Sequence, residues 1–108
     1  MNEYRDLYEH RDEWQIVDVR EPFEWNAGHI GGAVHIPLGD IIGGREKGLL
    51  DTSRPVVVVC KSGNRSELAA LMLQARGLEA HNLEGGTEGW AAAGLPLETE
   101  DGTPGRVA

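Results

Sequence analysis

The chain holds one thiol, and its surroundings are those of a reagent. In "VVVVCKSGNRSELAALML" (56–73), Cys60 ends an apolar run and is followed at once by Lys61, Ser62, Gly63, Asn64, Arg65 and Ser66. An unpartnered cysteine is most often a small buried hydrophobe. Polar and cationic residues packed against one side of it argue instead for a nucleophile, because the thiolate is the reactive form. A free cysteine titrates near ~8.5, and helix N-termini with adjacent cations commonly bring that to about 3.5–7.5. A helix terminus alone is worth about 0.3–1 kcal/mol, so it needs allies. Lys61 and Arg65 supply charge, and Gly63 permits a tight curl whose N–H groups gather around an anion. Of the two cations, Arg65 is the stronger choice, since its planar fork can hold an oxyanion bidentately. These residues predict a thiolate at neutral pH inside a small anion cradle.

Positioning that loop requires a strand before it and a helix after it. "PVVVVC" lacks alternation, which suits a strand buried on both faces of a parallel sheet. "SELAALMLQARG" predicts a helix from Ser66, with Leu68, Leu71, Met72 and Ala75 on one face, widened by Ala69 and Leu73. Gly77 is its natural stop. Cys60 then lies where open α/β sheets bind ligands, at the carboxyl end of a strand.

The other segments fit the same plan. Residues 4–14 predict a short helix, "WQIVDVR" a strand, and 22–26 a helix begun by Pro22 and stopped by Gly28. Ala33–Ile36 predicts a strand ended by Pro37, and residues 39–55 a connection with one short helix. "LEAHNL" predicts a strand and "GGTEGWAAAG" a turn plus helix. Strands alternating with helices define an α/β class with a mainly parallel sheet. We expect one domain over residues 1–97 and a mobile tail over 98–108, which has little to bury.

Composition narrows the partners. The 108 residues include 18 acids against 10 lysines and arginines, a formal net charge of −8. Such a field disfavours nucleic acid and anionic membranes, and a small anionic substrate needs a locally positive site. One cysteine makes no internal disulfide and is too few for a structural zinc site. No signal-like or membrane-spanning run is visible, so the cytoplasm is the expected compartment, where a thiol stays reduced.

Three blocks together resemble the single-domain rhodanese family, of thiosulfate sulfurtransferase type. They are "IVDVREPFEWNAGHIGGAVHIPL", the valine strand with "CKSGNRS", and "NLEGGTEGW", spread over residues 16–97 in the family's order. The resemblance implies a three-layer rhodanese fold, with about five strands flanked by helices on both faces. It implies double displacement: Cys60 takes the outer sulfur of thiosulfate, releases sulfite and carries a persulfide. A thiol, cyanide or sulfur-carrier protein then removes the sulfur. No metal or other cofactor is called for. Loop amides from Lys61 to Ser66 would cradle the terminal sulfur, and Arg65 and Lys61 would orient the donor. The family's opening strand has little room before "DVR", so that sheet edge is expected to be missing or rebuilt, and the molecule to be a monomer or weak homodimer.

Rival uses of the thiol are a sulfur-relay or protein-binding module fed by a protein persulfide, and arsenate reduction or phosphate-ester hydrolysis. Cysteine phosphatases resemble this loop but place arginine after five residues, whereas Arg65 follows Cys60 after four. The shorter cradle suits sulfur better than phosphate. Asp18 and Arg20 match the family's "DVR" element and are candidates to position the loop, although a pair satisfying nearby backbone groups is the favoured account. His29, among Gly, Ile and Ala, is expected to be a packed structural residue. Trp14, Trp25 and Trp90 are expected to serve as core or shell aromatics. Gly85 and Gly86 are expected to let a turn approach the loop.

Overall fold

In a computed structural model of the chain, which describes residue 1 and residues 3–108, helices and strands alternate as expected. The order is α1 (Tyr4–Glu9), a 3-10 turn (Arg11–Glu13), β1 (Gln15–Asp18), α2 (Pro22–Ala27), β2 (Val34–His35) and α3 (Leu38–Ile42). It continues with β3 (Val56–Val59), α4 (Asn64–Ala75), β4 (Ala80–Asn82) and α5 (Gly86–Ala92). The sheet is parallel, with strand order β2-β1-β3-β4.

The four valines of β3 explain the layering. Val56 and Val58 pack with Val17, Val19, Ile41, Ala69, Ala70 and Leu73 on the α3 and α4 side. Val57 and Val59 point the other way, into Leu7, Ile16, Leu83 and Trp90 on the α1 and α5 side. Successive side chains of a strand face opposite sides, so an unbroken valine run fills both layers at once. All four are buried, and burying a valine is worth roughly 1.5–3 kcal/mol. The fold is therefore the three-layer α/β arrangement that the sequence predicts.

Three expectations need correction. The sheet has four strands among the described residues, where five were expected. In place of an outer strand beside β4, the Met1 amine donates to Asn82 O at 2.6 Å and Met1 O accepts from Glu84 N at 2.6 Å. Tyr4 of α1 fastens the same edge by donating to Glu84 O at 2.6 Å. The edge is rebuilt from one residue and a helix.

The second correction concerns α4. It begins at Asn64, two residues earlier than expected, and buries Ser66, Ala69, Ala70 and Leu73. Leu68 and Leu71 are 46% and 56% exposed, and Ala75 is exposed too. Apolar residues lie all round this helix, so periodicity cannot select a face. Small residues at 66, 69 and 70 let the helix backbone approach the sheet, and that stripe wins over the leucines. Gly77 does follow the helix end, in the left-handed region at φ 91°.

The third concerns residues 98–108, which are folded onto the domain. His29 and Glu98 exchange backbone hydrogen bonds at 2.8 and 2.9 Å, Gly105 N donates to Leu97 O, and Arg106 N donates to Ala27 O. Gly28 and Gly105 permit this contact, since a Cβ on either would collide with the backbone opposite. Trp25 Nε1 donates to Glu100 at 2.5 Å, and Val107 packs against the α1 and α5 layer. Backbone pairing holds the segment, which a count of its apolar side chains does not register.

Candidate active site

β3 ends by delivering Cys60, 1% exposed, to the carboxyl edge of the sheet. The chain then curls back so that Gly63 N donates to Cys60 Sγ at 3.0 Å. Gly63 has φ 104°, open to glycine and strained for other residues, and it caps α4. The outer side of the loop is held by α5. Thr87 N donates to Cys60 O at 2.9 Å and Glu88 N to Lys61 O at 3.0 Å. Gly86, at φ 55°, sits so close that a Cβ there would strike Cys60 O and Lys61 C. With these carbonyls engaged outward, the loop N–H groups are left to face the sulfur.

A second layer of polar contacts comes from β4. Asn82 Nδ2 donates to Gly63 O at 3.1 Å, and Asn82 Oδ1 accepts a short hydrogen bond from Ser66 Oγ. Ser66 Oγ also lies 3.3 Å from Cys60 Sγ. One hydroxyl proton thus has two acceptors, sulfur and amide oxygen, and serves one at a time. The sequence gives no hint of Asn82 beyond its place in the "NLEGG" block, because only the parallel register sets it beside Val58.

The thiol titrates below its ordinary value. Burial is the largest influence and pushes it up. The Ser66 hydroxyl and the backbone N–H groups of Ser66, Gly63 and Ser62 together outweigh that and pull it down. Of the two allies the sequence suggested, loop amides and cations, the amides together with the Ser66 hydroxyl are the ones that lower the thiol pKa.

Arg65 differs most from expectation. Its fork is already filled: Nη1 donates to Glu24 Oε1 at 2.6 Å and Nη2 to Glu24 Oε2 at 2.8 Å. Glu24, from α2, is 5% exposed and also accepts from Glu21 N in a capping box. The Arg65 fork, with burial opposing it, brings the Glu24 carboxyl down to about 2, and the Glu21 N–H and the Arg20 charge act the same way. Glu24 carried no signal in the sequence beyond its capping spacing, since its partner is 41 residues away. Lys61 is half-buried with no ion pair among the described residues, and Ser62 and Asn64 are exposed at the rim.

Asp18 and Arg20 form a buried ion pair at 2.8 Å. Arg20 Nη2 also donates to Gly28 O at 2.7 Å, which ties β1 to the turn after α2. Among the described residues, Arg20 Nη1 is buried without a partner, as is Thr87 Oγ1. His29 is 6% exposed, with Nδ1 3.0 Å from Trp25 O and its ring stacked 3.5 Å from the Trp25 ring. A cleft of about 600 Å³ opens at the opposite end of the sheet between Arg11, Trp14, Gln15, Val34, Leu49 and Arg54.

A glycine-curled loop around a thiol at the end of a parallel strand places this chain in a known class. The family model for the rhodanese-like domain matches residues 2–93, and the chain belongs to that family. It is 36% identical over 93 residues to the thiosulfate sulfurtransferase GlpE of Pseudomonas fluorescens, with 82% of this chain and 80% of that one aligned. It is 42% identical over 77 residues to the uncharacterized protein YqhL of Bacillus subtilis, covering 70% of this chain and 60% of YqhL. Among solved structures, a rhodanese-related protein from Thermoplasma volcanium superposes with a TM-score of 0.82 at 37% identity. That superposition spans 93% of this chain and 97% of the other.

Proposed function

We propose that the protein is a sulfurtransferase that carries sulfane sulfur as a persulfide on Cys60. The observation that carries this is the Sγ atom, buried and below its ordinary pKa, held by Gly63 N–H and within reach of the Ser66 hydroxyl. In the first half-reaction the Cys60 thiolate attacks the outer sulfur of thiosulfate. The donor's S–S bond breaks and sulfite leaves with the bonding pair. The terminal persulfide sulfur then occupies the space the loop N–H groups face, which is electrostatic stabilisation by fixed dipoles. In the second half-reaction a thiophilic acceptor (cyanide, a thiol or a sulfur-carrier protein) attacks that sulfur and restores the thiolate. Two displacements through one covalent intermediate give ping-pong kinetics. The chemistry needs no metal or cofactor, only a compartment that keeps the thiol reduced.

A relay role, with a protein persulfide as donor, is supported by one observation: the Arg65 fork is not free to grip a small dianion. The similarity to the probable adenylyltransferase/sulfurtransferase MoeZ of Mycobacterium tuberculosis is compatible with this. There, 90 aligned residues at 37% identity make up 23% of a longer protein. Phosphate-ester chemistry fits less well, since only four residues separate Cys60 from Arg65 and the Arg65 fork is held by Glu24. Intact-mass spectrometry after thiosulfate is expected to show one added sulfur, removed by cyanide and absent in Cys60→Ala. No adduct from either thiosulfate or a hydropersulfide would refute the proposal.

A further inference from the structure

The Glu24–Arg65 pair bears on which donors the site accepts, an inference that rests on the sulfurtransferase function proposed for Cys60. Arg65 lies within electrostatic reach of both Cys60 and Asp18. Its two outward amino groups are both spent on Glu24 at 2.6 and 2.8 Å. Glu24 is fixed in turn: 5% exposed, with Oε1 shared between Glu21 N and Arg65. Asp18 and Arg20 cancel in the same way. Both ion pairs are closed, and Lys61 is the one loop cation with no anionic partner among the described residues.

We propose that Glu24 is a specificity-determining residue: by occupying the Arg65 fork it withholds that charge from the donor and favours uncharged sulfane donors over dianions such as thiosulfate. Bringing a dianion next to a thiolate needs compensating positive charge, because like charges in a half-buried site repel strongly. A neutral hydropersulfide, R–S–S–H, makes no such demand. The Cys60 thiolate attacks its outer sulfur and the donor S–S bond breaks. The thiolate R–S⁻ leaves with the bonding pair and takes a proton from solvent, and the enzyme is left as Cys60–S–S–H. No oxidant or reductant is consumed. Freeing Arg65 from Glu24 to meet a substrate would leave a buried carboxylate unpaired, a costly arrangement.

The experiment is single-turnover loading of the full chain, read by intact mass, with thiosulfate and with a small alkyl hydropersulfide as donors. Wild type is expected to half-saturate at lower hydropersulfide than thiosulfate. In Glu24→Gln, which keeps the Glu21 cap but removes the charge, thiosulfate half-saturation is expected to fall about tenfold while the hydropersulfide value stays within about twofold. The double variant Glu24→Gln/Arg65→Gln leaves no unpaired buried charge and decides the matter even if the single variant unfolds. It is expected to use thiosulfate within about threefold of wild type, since a neutral pair replaces a cancelled one. A double variant that loads from hydropersulfide but loses more than about tenfold with thiosulfate would show that Arg65 leaves Glu24 to bind the donor, and would overturn the proposal. So would equal shifts for both donors in Glu24→Gln. Failure of wild type to load from either donor would refute the sulfurtransferase function itself, and this inference with it.

Discussion

Cys60 is made acidic by hydrogen-bond donors that lie within six residues of it in sequence, which makes its behaviour testable one atom at a time. In Ser66→Ala the thiol loses a donor and the Asn82 amide loses its partner. The thiol pKa, followed by ultraviolet absorbance, is expected to rise by roughly one unit, since each unit is about 1.4 kcal/mol of preference for the anion. In wild type the value is expected below that of an ordinary cysteine. Glu24 is likewise held below its ordinary value. Its folded-state pKa is about 2 against an ordinary 4.5, so it stabilises the fold above pH 4.5 and that contribution is lost as pH falls towards 2. The shift corresponds to roughly 3 kcal/mol at neutral pH, with Glu24 almost fully buried. Urea midpoints are expected to fall over that acid window in wild type and to stay flatter in Glu24→Gln. At this scale the sequence announced Cys60, Gly63 and the loop. The pairing of Arg65 with Glu24 was not legible there, because a bidentate partner 41 residues away leaves no local trace.

Among the elements, the junction between the loop and α5 constrains the design most. Gly86 is legible as a turn glycine, but only the packing shows why a side chain is excluded there. Gly86→Ala places a Cβ against the carbonyls of Cys60 and Lys61 at a positive φ. It is expected to cost about 2–4 kcal/mol in thermal or urea unfolding. Gly32→Ala, also at a positive φ but with open space around it, is expected to cost only about 1 kcal/mol. A similar cost for both would mean that backbone strain, not the contact with the loop, sets the penalty. The strands were readable because β-branched runs bounded by turn residues have few alternatives. The face of α4 was not, because Leu68 and Leu71 compete with a stripe of small residues, and close approach to a sheet is decided by what is absent from a side chain.

For the molecule as a whole, the layer assignment followed from one valine run, whereas the tail did not follow from its composition. Removing residues 98–108 is expected to lower the melting temperature by several degrees, roughly what a loss of 1–2 kcal/mol gives a domain of this size. Its backbone bonds to Leu97, His29 and Ala27 would go with it, as would the Glu100 contact of Trp25. An unchanged melting temperature would mean that those bonds merely replace bonds to water. The lone cysteine has a different consequence at this scale. A dithiol protein can discharge a bound sulfur by closing a disulfide on itself; this chain has no second thiol with which to do so. If the proposed persulfide forms on Cys60, its lifetime would depend on the acceptors it meets, and the charged population would become a gauge of acceptor supply. On the proposed function, this domain would act as a small reservoir emptied by an external acceptor.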